Sequence, residues 1–107
     1  RLAQRATLGI ARMGGLGENS SGDIFLAFST ANRNLKQSGG KEPVEVKMLP
    51  PGALSPLFEA VGEATEEAIL NALCAATTTV GVAGRTAHAL PLDRLQQIMR
   101  RYGVDSF

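Results

Sequence analysis

The first apolar positions of the chain, Leu2, Ala6, Gly9, Ile10 and Met13, recur at spacings of three and four, and Arg1, Arg5 and Arg12 sit off that stripe. Such spacing gathers apolar side chains on one face of a helix, so an amphipathic helix is predicted from Leu2 to the pair Gly14-Gly15. Glycine stops a helix there because it accepts the left-handed conformation that a helix C-terminus favours. The turn GGLGENSSG then carries the chain to Asp23. In DIFLAFSTAN, from Asp23 to Asn32, the apolar residues do not alternate with polar ones. Both faces of the strand are therefore expected to be covered, as in a central strand beneath helices rather than an edge.

From Arg33 to Gly52 the chain is polar and rich in Lys, Gly and Pro, which reads as a mostly exposed loop, with VEVKM at 44–48 a candidate second short strand. Ser55-Pro56 marks a helix start: a serine hydroxyl can accept from a free backbone N–H, and proline in the first turn has no N–H to leave unpaired. The helix is predicted to run to about Thr79. Phe58, Val61, Thr65, Ala68, Ile69, Ala72, Leu73 and Ala76 make one face, and Glu59, Glu63, Glu66 and Glu67 another. At 1.5 Å per residue it would be roughly 36 Å long, more than so short a chain can support along its length. Its alanine-rich stretch NALCAA leaves room for another backbone to approach. After the GVAGR turn, Pro91 opens a last helix with Leu95, Ile98, Met99 and Tyr102 on one face. Asp93 in its first turn and Arg100 and Arg101 in its last complement the helix dipole, and Gly103 closes it.

These elements describe an α/β chain, helix-rich with one buried central strand. Its 107 residues suit one domain. An apolar share of 44% with 20% charged residues lies well away from the composition of disordered chains, so folding is expected. Eleven basic residues against ten acidic ones give a net charge of +1, too weak a field to point to nucleic acid or a membrane surface as partner. One cysteine makes no internal disulfide and leans toward a reducing compartment. No apolar run approaches the length that spans a bilayer. Because the chain begins at Arg1, inside its first helix, it is expected to be a single incomplete domain, residues 1–107, of something larger.

Each candidate chemistry competes with a plainer reading. The glycine-rich turn at 14–22 invites a phosphate cradle, yet phosphate loops run from a strand into the positive N-terminus of a helix, and this one runs from a helix end into a strand. Nucleotide binding is disfavoured on that ground. Ser20, Ser21 and Asp23 bring hydroxyls and a carboxylate to the mouth of the strand, and residues two apart on an extended chain point to the same side. The plainer reading is that small polar residues only make a turn. A Ser-His-Asp triad would need His88, which is far along the chain. Cys74, among small residues of the long helix, reads as a buried inert thiol rather than a nucleophile paired with His88. One His and one Cys fall short of a metal site, and no cofactor motif is present. The glutamate face reads as a solvated surface that could meet a basic partner.

The blocks RATLGIARMG, NSSGDIFLAFSTAN, SPLFEAVGEATEEAILNAL and HALPLDRLQQIMRRYG, in this order, resemble the C-terminal part of the L-aminopeptidase/D-alanyl-esterase (DmpA-like) and β-aminopeptidase family. The resemblance covers nearly the whole chain apart from the 34–52 loop. It implies an αββα sandwich like that of the N-terminal nucleophile hydrolases, of which this chain would be one part. It also implies a precursor that cuts itself to free a serine, whose hydroxyl attacks the amide carbonyl while its own amine or a nearby polar group takes the proton. Donors elsewhere stabilise the oxyanion. Peptides, amino-acid amides or esters are the implied substrates, and the N-terminal amino acid the product. Ser21 matches the family's second active-site serine and Asp23 the acidic residue two places on, implied to orient the nucleophile and its amine. A carboxylate beside an ammonium favours the charged amine, so Asp23 would tune that group rather than simply pair with it.

The family's nucleophilic serine precedes the first helix, so neither it nor the oxyanion donors are assigned to any position here, and the chain alone is expected to be inactive. The implied partners are the missing N-terminal part of the same precursor and further copies in a homo-oligomer. The implied location is cytoplasmic, or periplasmic should an export signal precede the chain. The competing expectation, from another class, is a non-catalytic interaction or structural module that dimerises through its long helix and exposed strand.

Overall fold

The stripe through Leu2, Ala6, Gly9, Ile10 and Met13 folds as α1, Ala3–Arg12. The computed structural model describes residues 1–20, 22–33, 35 and 43–104, and it holds each residue of that stripe buried or half-buried. Gly14 ends α1 at φ 93°. The Gly14 N–H donates to the Ala11 carbonyl and the Gly15 N–H to the Ile10 carbonyl, both at 3.0 Å, which satisfies carbonyls the last turn would leave open.

A single 3₁₀ turn, Pro51–Ala53, precedes α2, Ser55–Ala75. The Phe58 N–H donates to the Leu54 carbonyl at 2.9 Å. Ser55 is therefore the first helical residue and not the cap that its place before a proline suggested. Of the predicted apolar face, Phe58, Val61, Thr65 and Ile69 are half-buried, whereas Ala68, Ala72, Leu73 and Ala76 are exposed. The helix stops at Ala75, short of Thr79. The run Thr77-Thr78-Thr79-Val80 is β-branched throughout, which weakens a helix and suits a strand. Thr79–Val80, here β1, pairs antiparallel with Thr86–Ala87, β2, in the register Thr79 to Ala87 and Val80 to Thr86. The Gly81 N–H donates to the Arg85 carbonyl at 2.7 Å across the connecting turn, and the Thr78 hydroxyl accepts from the Ala89 N–H at 3.0 Å.

Pro91 stands at the cap of α3, Leu92–Arg101. Leu95 and Met99 are half-buried, and Ile98 and Tyr102 are exposed. The helix closes as α1 does, with Gly103 at φ 71° and the Val104 N–H on the Met99 carbonyl at 3.0 Å.

Two compact units divide the chain, Arg1–Glu66 and Glu67–Phe107, with the boundary inside α2. In the first unit α1 crosses α2 at Gly9 and Gly62, the only buried residues among those described. The second unit holds the hairpin and α3. No described hydrophobic side chain is fully buried in either.

Helices with a small antiparallel sheet agree with the α/β class, but the sheet is not where the apolar runs placed it. Residues 23–32, expected to form a buried central strand, form no strand and end in a turn at 31–33, and Ile24, Leu26 and Phe28 are 97%, 89% and 87% exposed. A strand exists only through hydrogen bonds to a neighbour, and no described backbone supplies them. Residues 44–48 are likewise no strand. What ties Lys47 among them down is the Asn32 side chain.

Candidate functional site

Asp23 lies at the start of the apolar segment, exposed, and Gly22 before it is exposed as well. Ser20 belongs to the turn that leads there and is also exposed. Ser21 lies outside the described residues. From Asp23 the segment runs past the N-terminal part of α1. Phe25 and Phe28 share with Ala6 of α1 and Val61 of α2 the walls of a cavity of about 420 Å³. Phe25 is half-buried, whereas Ile24, Leu26, Ala27 and Phe28 around it are exposed.

The segment ends in a local turn. The Ser29 hydroxyl accepts from the Ala31 N–H at 3.2 Å, and a serine that bonds to the backbone two residues on competes with continued extension. The turn delivers Asn32 to the backbone of Lys47. Asn32 Nδ2 donates to the Lys47 carbonyl at 3.0 Å, and the Lys47 N–H donates to Asn32 Oδ1 at 2.8 Å. One carboxamide thus satisfies both backbone groups of a single residue, as a neighbouring strand would. This explains why residues 44–48 stay beside the segment without being a strand. Nothing in STANR marks that asparagine for the purpose, because its partner lies fifteen positions away. Asn32 and Lys47 also border an open, largely apolar groove of about 650 Å³ whose walls include Leu2, Met48, Leu54 and Leu57. Asp23 lines neither cavity.

Arginines off the α1 stripe find partners in α2. The Arg5 guanidinium lies 4.3 Å from the centre of the Phe58 ring and that of Arg1 5.1 Å, close enough for cation–π attraction. Arg12 pairs with Glu66 at 3.5 Å, both partly exposed, a contact worth at most about 1 kcal/mol. One member of the glutamate face is therefore used within the chain. Glu59, Glu63 and Glu67 remain exposed.

Cys74 corrects an expectation. It is a free, exposed thiol rather than a buried one. The small residues around it on α2 suggest a packing face, but every described residue from Asn71 to Val80 is exposed, so no described element covers that face. His88 is exposed too, and no hydrogen bond joins it to Cys74 among the described residues. No group of three or more His, Cys, Asp or Glu among the described residues could hold a metal ion. No described helix is long and apolar enough to cross a membrane.

Known proteins resemble the chain over almost all of its length. The sequence profile described as Peptidase family S58 matches residues 1–87. A beta-peptidyl aminopeptidase, BapA, of Sphingosinicella microcystinivorans is 50% identical over 102 residues, which are 95% of this chain and 26% of that protein. Among solved structures, a protein of Pyrococcus horikoshii OT3 superposes with a TM-score of 0.85 at 51% identity, covering 96% of this chain and 29% of that one. The L-aminopeptidase D-Ala-esterase/amidase of Ochrobactrum anthropi, described as a prototype of the serine aminopeptidases and a variant of the Ntn hydrolase fold, superposes with a TM-score of 0.83. Its identity is 38%, over 99% of this chain and 30% of that one. The chain spans about a quarter of the length of the curated relatives it matches.

Proposed function

Because the chain belongs to peptidase family S58, we propose that it is the C-terminal portion of a self-cleaving serine aminopeptidase, which releases N-terminal amino acids from peptides, amides or esters. The 50% identity to a β-peptidyl aminopeptidase across 95% of the chain carries this reading. The relative's name adds peptides with an N-terminal β-amino acid to the substrates worth trying.

In this reading the attacking serine and the oxyanion donors come from the rest of the polypeptide. Ser21 and Asp23 supply a hydroxyl and a carboxylate beside them. The nucleophile's hydroxyl adds to the scissile carbonyl, its proton passes to the serine's own amine or a nearby polar group, and the leaving amine takes a proton as the C–N bond breaks. Water then releases the acyl group as the free amino acid. Asp23 sets the charge and orientation of the amine, and Ser21 relays a hydrogen bond to it. The exposure of Asp23 is compatible with such a role, since a group that works on a neighbouring part of the enzyme must be reachable.

The bare row Ile24, Leu26 and Phe28 supports the same reading. Strands of the remaining polypeptide, paired along both edges of residues 22–29, would make that segment the central strand of an αββα sandwich and cover the row. The row also suits the second reading, a non-catalytic module that dimerises through its long helix and exposed strand. One experiment separates the two: amino-acid p-nitroanilide hydrolysis, measured for the chain alone and for the polypeptide that carries it. Activity only in the latter supports the aminopeptidase, and a stable, inactive dimer in both supports the module.

A further inference from the structure

We draw no further inference here: the strongest candidate, the apolar row Ile24, Leu26 and Phe28 on the segment that follows Asp23, carries nothing beyond the proposed function because nothing in the structure shows what covers it.

Discussion

Gly9 of α1 meets Gly62 of α2 so closely that a Cβ on Gly9 would stand 2.6 Å from the Gly62 carbonyl oxygen and 2.6 Å from Thr65 Cβ. Backbone and a β-branched side chain cannot swing aside, so the two helices cross at this distance only because Gly9 has no side chain. The reverse is not true. A Cβ on Gly62 would meet only the tip of Arg12, at 3.9 Å.

The two glycines should therefore respond in opposite directions. Gly9→Ala is expected to lower stability by about 1–3 kcal/mol, since overpacking outweighs the gain of up to about 1 kcal/mol in helix propensity. Gly62→Ala keeps that gain without the clash and should be neutral or mildly stabilising. Urea unfolding midpoints of the two variants give the comparison. Equal destabilisation of both would mean that the crossing is wrongly described.

Ala83 occupies the left-handed region at φ 57°, ψ 30° in the turn between β1 and β2. An alanine there costs on the order of 1 kcal/mol relative to a residue that adopts it freely. Ala83→Gly and Ala83→Asn should each raise the thermal midpoint, with a gain of about 0.5–1 kcal/mol. A loss in both variants would contradict the turn geometry.

Asn32 holds Lys47 through two bonds that different substitutions remove separately. Asn32→Ala removes both and should cost about 1–2 kcal/mol in this exposed setting. Asn32→Asp keeps the acceptor for the Lys47 N–H but sets a carboxylate oxygen against the Lys47 carbonyl. Amide hydrogen exchange at Lys47 should speed up strongly in Asn32→Ala and less in Asn32→Asp. Unchanged protection in Asn32→Ala would show that the carboxamide does not hold this backbone.

How much of this was legible beforehand follows from how far each signal reaches. The α1 stripe, the Gly14 and Gly103 stops and the α3 pattern are local, and the residues that made those predictions sit within one or two turns of where they act. The strands are not local. An unbroken apolar run at 24–28 says that both faces want cover, but pairing needs a second backbone, which no described segment offers. β1 and β2 are two residues each, too short to show alternation, so the GVAGR turn was visible and its flanking strands were not. Cys74 was misread for a related reason: small residues on α2 signal close packing only when something packs there. Ser21 and Asp23 come from family resemblance alone, and of the two only Asp23 lies among the described residues, exposed. The Asn32–Lys47 clamp, made by partners fifteen positions apart, left no mark in the pattern.

The role given to Asp23 is open to direct measurement. Steady-state release of p-nitroaniline from an aminoacyl substrate should be followed for the polypeptide that carries this chain, for Asp23→Asn and for Ser21→Ala, with far-UV dichroism and unfolding midpoints to confirm that each variant folds. Loss of a group that orients a nucleophile and its amine should lower kcat by about 10²-fold or more in each variant, with KM changed far less. Folded variants that keep the parental kcat would contradict the assignment of these two residues to the chemistry.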